Sequence, residues 1–275
     1  MLPGVELGGR VVIVTGAARG IGRALALRAA AEGAAGVVAV DLDGEGAERT
    51  AQEIEAAGAR ALGLGADAAR EDDVDVVVTR TEQAFGPVDV FFANAGVAVG
   101  TDPLQTDDAT WDLAFAVNIK AHVVAARRLL PSWLERGEGC FVATASAAGL
   151  VTQIGSAPYA VTKHAAVAFA EWLAITYGDR GLHVSCLCPM GVNTAMLHPP
   201  GGEDIASATV TSAGAVLEPE DVAGAVVEAL RAERFLILPH PEVLTFFQRK
   251  AADYDRWLAG MRRLQRTVSE TRSAT

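Results

Sequence analysis

The feature that most constrains this chain is a regular alternation of short, unbroken apolar runs with longer helical segments. The runs at Val11–Thr15, Gly36–Asp41, 60–65, 88–93, 140–145, 182–188 and 235–238 read as strands. Between them, 21–32, 45–57, Glu71–Phe85, 111–136, Ala157–Tyr177 and 220–231 read as helices. Gly58 suits the end of the second helix, Gly86-Pro87 stops the third, and 111–136 is expected to bend around Pro131. Residues 189–214 are rich in Gly, Pro, Ser and Thr and read as a loop that closes over a ligand. Beyond Pro241, Leu244, Phe247, Ala251, Tyr254, Leu258 and Met261 fall at spacings of three and four, which makes one helical stripe in need of a cover.

Strands that alternate with helices of this length build right-handed βαβ units and a parallel sheet. Apolar runs without alternation indicate a sheet covered on both faces. The expected fold is therefore α/β: a doubly wound, mainly parallel, seven-stranded sheet. It forms a single domain over 1–275, with 241–275 as a helical C-terminal extension. Such a sheet binds its ligand beyond the carboxyl ends of the strands. Chemistry is thus expected just after Thr15, Asp41, Ala93, Ala145 and Cys188.

The charge excludes some partners. A net charge of −11 argues against nucleic acid, which is held by Lys and Arg on phosphates. No run reaches the ~18 apolar residues of a membrane helix. Residues 1–9 lack the basic start and apolar run of a secretory signal, so a cytoplasmic location is expected. Cys140, Cys186 and Cys188 read as core thiols. His122, His164, His183, His198 and His240 have no metal spacing and read as structural, so no metal is expected.

Gly16, Gly20 and Gly22, with Arg19 and Ile21 among them, follow the first strand and open the first helix. Glycines there let the backbone approach a pyrophosphate, and the helix N-terminus offers N–H groups to the anion. An ordinary glycine turn is the plainer alternative. Asp41 ends the second strand, 19 residues beyond Gly22, where a carboxylate accepts hydrogen bonds from adenosine ribose hydroxyls. It also repels the 2′-phosphate of NADP, by about 4 kcal/mol for charges ~4 Å apart at an effective dielectric of ~20. Arg19 is the contrary signal, but Leu42 follows Asp41 where a base would favour NADP. The balance favours NAD, with NADP the less favoured cofactor. Asp41 can also be read as a helix cap. Asp67, followed by Ala68, can contact adenine or cap a helix.

Tyr159 and Lys163 lie four apart and share a helix face. A phenol titrates near pH 10, and a neighbouring ammonium lowers that value. A surface Tyr/Lys pair is the commoner meaning of this spacing. Ser146 alters the weighing, because it lies just past the fifth strand, at the carboxyl edge. Asn94, Ala95 and Gly96 follow the fourth strand at that edge, and Asn118 lies on the helix after it.

In these motifs the chain resembles the short-chain dehydrogenase/reductase family over 7–238. The matching residues are Thr15, Gly16, Gly20, Gly22, Asn94, Ala95, Gly96, Asn118, Ser146, Tyr159 and Lys163, then Pro189, Val192 and Thr194. The resemblance implies that Tyr159 is the general acid/base and that Lys163 lowers its pKa and binds the nicotinamide ribose. It implies that Ser146 polarises the substrate oxygen and that Asn118 holds a proton-relaying water. Val192 and Thr194 would contact the carboxamide. It also implies a homodimer or homotetramer built on 111–136 and 157–177. Two positions depart from the family: Ala93 replaces a common Asn, and Met190 replaces the usual Gly.

The expected function is hydride transfer between NAD and a small alcohol or carbonyl substrate. An NADPH-linked reductase keeps the chemistry and changes the cofactor. A non-catalytic nucleotide sensor on the same fold would not need the Asn118, Ser146, Tyr159 and Lys163 set. Ala147, Ala148, Leu150, Ile154, Met190, Val192, Met196 and Leu197 suggest an apolar substrate pocket.

Overall fold

The structure, a computed structural model, describes residues 4–198 and 204–273. The strands are β1 (Val11–Thr15), β2 (Gly36–Asp41), β3 (Ala61–Gly65), β4 (Val90–Ala93), β5 (Gly139–Thr144), β6 (Leu182–Leu187) and β7 (Leu236–Ile237). The helices are α1 (Gly20–Ala31), α2 (Gly44–Ala56), α3 (Glu71–Phe85), α4 (Asp108–Phe115), α5 (Ala121–Arg136), α6 (Ala148–Val151) and α7 (Ala157–Tyr177). They continue with α8 (Ile205–Ala213), α9 (Pro219–Arg231), α10 (Glu242–Ala252) and α11 (Tyr254–Ser273).

All seven strands pair in parallel, in the order β3-β2-β1-β4-β5-β6-β7. Winding proceeds one way from β1 to β3 and the other way from β4 to β7. The crevice therefore opens between the carboxyl ends of β1 and β4. Alternate residues of each strand feed two separate cores. Ile13, Val38, Phe91 and Phe141 pack with Val78, Leu129, Trp133 and Leu173 on one face. Val12, Val37, Phe92 and Val142 pack with Leu25, Ile54, Val226 and Leu230 on the other. The three cysteines are buried in these cores and unpaired.

Three expectations about elements are corrected. The helix expected over 111–136 is α4 and α5 joined by a π-turn, Ala116–Lys120, while Pro131 sits inside α5. Asn118, whose side chain must reach sideways, creates the irregularity. Residues 189–214 are not all loop, because α8 forms where Asp204 accepts a hydrogen bond from Ser207 N at 2.7 Å. Residues 199–203 of that expected closing loop lie outside the described residues.

The tail is two helices, broken where Asp253 turns extended (φ −153°). Its packed face is not the expected stripe. Val243, Lys250 and Val268 are buried, with Phe246, Trp257 and Leu264 half-buried, while Leu244, Phe247, Tyr254 and Leu258 face outward.

Candidate active site

The glycine turn is forced by its neighbours. Gly16 has φ +67°, and a Cβ there would sit 3.0 Å from Ala95 Cα. A Cβ on Gly22 would lie 2.0 Å from the Gly16 carbonyl oxygen. Only glycine fits either place. Helix α1 starts at Gly20 with no side-chain cap and no acidic residue in its first turn. Its first N–H groups therefore face the crevice without a protein acceptor from either source.

Asp41 is built into this turn. Its Oδ2 accepts from Ala18 N at 3.0 Å and its Oδ1 from Asp43 N at 3.0 Å. The cap of α2 is Asp43, so the capping alternative for Asp41 does not hold. Leu42 stands 80% exposed beside it. Arg19, also exposed, makes no ion pair among the described residues. Asp67 accepts from Ala69 N at 2.9 Å, and its own N–H donates to Asp73 Oδ2; the cap of α3 is Arg70. Ala68 lies in the turn between them.

The end of β4 is stapled to the end of β1 by Thr15. Its hydroxyl accepts from Asn94 N (3.0 Å) and Ala95 N (3.1 Å), and Asn94 Nδ2 donates back to the Thr15 carbonyl at 3.0 Å. A Cβ on Gly96 would come within 3.3 Å of both Asn118 Oδ1 and Lys163 Nζ, so glycine lets those two side chains converge. Asn118 is fully spoken for: Oδ1 accepts from Val97 N, and Nδ2 donates to Val97 O and to Thr162 Oγ1.

Ser146 follows β5 and Tyr159 and Lys163 sit on α7. The Ser146 hydroxyl donates to the Pro189 carbonyl (3.4 Å) and accepts from Ala148 N (3.1 Å), and its neighbourhood favours the Tyr159 phenolate. Lys163 is buried, and its Nζ donates to the Thr144 carbonyl at 2.9 Å and lies 5.7 Å from the Tyr159 ring centre. Burial pulls the Lys163 ammonium down to about 8. Burial pushes the half-buried Tyr159 phenol above its ordinary value, against the opposing influence of Ser146. The expected lowering of Tyr159 by Lys163 is therefore not present in the protein alone, where burial is the largest influence on the phenol.

Beyond β6, Val192 pairs with Leu217 in a single bridge, and the Thr194 methyl stands 3.1 Å from where a Gly20 Cβ would be. This joins the glycine turn to the segment after Pro189. His240, read as structural, holds the segment: Met190 N donates to Nδ1 (3.1 Å) and Nε2 donates to the Gly191 carbonyl (3.0 Å). Met190 thereby keeps an ordinary backbone where the family has glycine; neither residue 190 nor 191 has a positive φ. Thr162 and His240 carried no sequence signal, because their partners Asn118 and Gly191 lie 44 and 49 residues away.

A cavity of about 680 Å³ opens beside Ser146, walled by Ala147, Ala148 and Met190 and closed by α8, α10 and α11. Leu150, Ile154, Val192 and Leu197, expected to line a pocket, are packed away instead, and Met196 faces outward. Among the described residues no cluster of His, Cys, Asp or Glu is placed to hold a metal ion, and no helix is long and apolar enough to cross a membrane.

The sequence model of the short chain dehydrogenase family matches residues 10–202. This chain belongs to that family. The dehydrogenase is 38% identical over 242 residues to 1-deoxy-11-beta-hydroxypentalenate dehydrogenase of Streptomyces exfoliatus, covering 85% of this chain and 84% of that protein. It is 34% identical over 229 residues to 2-(S)-hydroxypropyl-CoM dehydrogenase 3 of Xanthobacter autotrophicus, covering 81% and 89%. A short chain dehydrogenase/reductase from Burkholderia phymatum, solved in complex with NAD, superposes with a TM-score of 0.83 at 30% identity, over 91% of this chain and 96% of that one. The dehydrogenase is thus a Rossmann-fold, NAD(P)-dependent oxidoreductase acting on CH–OH groups.

Proposed function

We propose that the protein interconverts a secondary alcohol and its ketone with NAD as the preferred cofactor. The observation that carries the reaction is buried Lys163, tied to the Thr144 carbonyl at the end of β5 with its Nζ 5.7 Å from the Tyr159 ring centre, and Ser146 two residues beyond that carbonyl. When bound, the nicotinamide supplies the hydride acceptor or donor. Gly16, Gly20, Ile21 and Gly22 would hold the pyrophosphate, and Asp41, Leu42, Asp67 and Ala68 would surround the adenosine. Asn94, Ala95 and Gly96, then Pro189, Val192 and Thr194, would border the nicotinamide end. Ser146 Oγ holds the substrate oxygen, and Tyr159 Oη takes or gives its proton. Lys163 keeps positive charge near the phenol, its Nζ 5.7 Å from the ring centre. Asn118 fixes the 97 loop and the approach of Lys163.

The preference for NAD rests on Asp41. Its carboxylate is fixed by Ala18 N and Asp43 N, so it cannot swing away from a 2′-phosphate. Two outcomes test this reading. Tyr159→Phe lowers kcat at least a hundredfold while NAD binding, followed by calorimetry, changes less than threefold. Wild type has the higher kcat/KM with NAD, and Asp41→Ala narrows the gap at least tenfold. A wild type that favours NADP would assign the choice to Arg19.

A homodimer or homotetramer completes the proposal. Leu113 and Phe115 on α4 and Trp172 and Ile175 on α7 are exposed, with Ile175 at 84%. Apolar side chains this open on two neighbouring helices fit a face that a second copy covers. The outward stripe of the tail, Leu244, Phe247, Tyr254 and Leu258, is a second such face. A soluble, cytoplasmic setting fits the acidic chain.

A further inference from the structure

The cavity beside Ser146 has two chemically different ends. Its body is apolar, with Ala147, Val151, Met190, Val210, Trp257 and Leu264 among its walls. Its outer rim carries Arg249, Arg256 and Arg263. Arg249 reaches this rim from α10, and Arg256 and Arg263, seven apart on one face, reach it from α11.

No carboxylate among the described residues lies within 4.0 Å of any of the three guanidinium groups. Elsewhere among the described residues Arg10, Arg28, Arg128, Arg136 and Arg231 are ion-paired, while Arg19, Arg60, Arg80, Arg180 and Arg234 are not. What sets the three apart is that they share one cavity wall, in a chain whose 34 acidic residues outnumber its 23 basic ones. Asp253 is the one acidic residue on the cavity wall, and it is engaged in accepting a hydrogen bond from Arg256 N at 3.0 Å. The rim therefore carries three positive charges against one negative. A one-sided charge over a low-dielectric wall focuses the field into the opening and draws in anions.

The buried part of the cavity wall adjoins Ser146, which does not itself line the cavity. Ala147 adjoins Ser146, Ala148 N donates to Ser146 Oγ, and Met190 follows the Pro189 carbonyl that the same hydroxyl bonds. We propose that the substrate has an apolar body with the reacting hydroxyl or ketone at one end and a carboxylate at the other, and that Arg249, Arg256 and Arg263 select it by that carboxylate. A guanidinium offers paired N–H donors that match the two oxygens of a carboxylate. The volume suits a molecule of drug-like size, within the range of small-molecule sites. The tail is held in place for this task by Lys250, whose buried Nζ donates to the Leu150 carbonyl at 2.7 Å and meets His164 Nε2 at 3.4 Å.

The proposal rests on the alcohol/ketone reading above, and its test separates the two. The probes are 11-hydroxydodecanoate and lithocholate, each with its methyl ester. Both acids carry hydroxyl and carboxylate at opposite ends of an apolar skeleton, one flexible and one rigid. With NAD, at least one acid is oxidised with kcat/KM tenfold or more above its ester, the difference lying in KM. The combined variant Arg249→Gln, Arg256→Gln, Arg263→Gln, which keeps the stem length of each side chain, brings that acid and ester to within threefold. Thermal melting establishes that the variant is folded. Calorimetry of the same pairs on Tyr159→Phe protein with NAD, with and without the three substitutions, reads binding without turnover. An acid preference in binding that the arginine substitutions remove, with no oxidation by wild type, upholds the carboxylate site and overturns the alcohol/ketone reading. Acid and ester indistinguishable in both assays on both skeletons, or an acid preference that survives loss of all three arginines, overturns the carboxylate site.

Discussion

Lys163 sets the chemistry of the site against the stability of the fold. Its ammonium is buried with no carboxylate beside it; His122, Cys186 and Cys188 are the titratable groups that interact with it, besides the Tyr159 ring. Burial lowers it from 10.5 to about 8. Below pH 8 the lysine is charged both folded and unfolded, and the fold bears the whole penalty, about 3 kcal/mol. Between pH 8 and 10.5 the unfolded chain binds the extra proton, so stability contributed by this residue rises with pH. Lys163→Met removes the penalty and also the bond to the Thr144 carbonyl, for a net gain of about 2 kcal/mol. Its melting temperature at pH 7 is expected to rise by about 4–8 °C, with the gain shrinking toward pH 10 and turnover lost. A melting temperature lower than wild type at pH 7 would show that the bond to Thr144 outweighs burial. Residues of this kind were legible in the sequence because their chemistry is rare and their places, just past strand ends, are fixed by the fold. His122 was not: it is buried with both ring nitrogens unpartnered, burial pulls it to about 3, and a lone His in a helix gives no sign of that.

At the scale of elements, strands and the helices between them were readable because each is one period of an amphipathic or buried pattern. The exceptions are the elements whose shape is set by partners elsewhere. The π-turn at Ala116–Lys120 follows from Asn118 reaching Val97 and Thr162. Helix α8 mixes small apolar residues with Ser and Thr, and among its own residues only Ser207 and Thr209 are buried. Its own side-chain hydrogen bonds are local, at Asp204 and from the Thr209 hydroxyl to the Ile205 carbonyl, and Gln153 Nε2 donates to the Ala206 carbonyl from outside at 3.3 Å. Such a helix has little packing to hold it and belongs to the low-stability end of the molecule. Yet Thr209, Val210 and Ala213 line the cavity, so an apolar ligand would bury new surface against it. Amide exchange across Ile205–Ala213 is therefore expected to slow at least tenfold with cofactor and substrate bound. Exchange at the same rate with and without them would mean that α8 is a fixed wall.

At the scale of the whole molecule, the tail has two faces with different work. The pattern of threes and fours in the sequence was correctly read as helical, but it marked the outward face. The inward face mixes Val243, Lys250, Trp257 and Val268, and a buried lysine interrupts any apolar count. Periodicity reports that a helix has an apolar side; it does not report which of two apolar sides meets its own chain. Here the inward side closes the cavity over α8, and the outward side holds Leu244, Phe247, Tyr254 and Leu258 in the open. The two faces can be separated by mutation. Truncation after His240 removes both, including the Lys250–Leu150 bond and the burial of Val243, the latter worth about 2 kcal/mol. It is expected to lower the melting temperature and raise KM. Leu244→Glu with Leu258→Glu touches only the outward face. If a second copy covers that face, this pair of changes lowers the mass seen by light scattering while KM and the melting temperature of the dissociated form stay close to wild type. Unchanged mass in the double variant would show that the outward stripe faces solvent and that association depends on α4 and α7 alone. Mass lowered together with a raised KM would mean that the neighbouring copy also braces the cavity, through the helices that carry the three arginines.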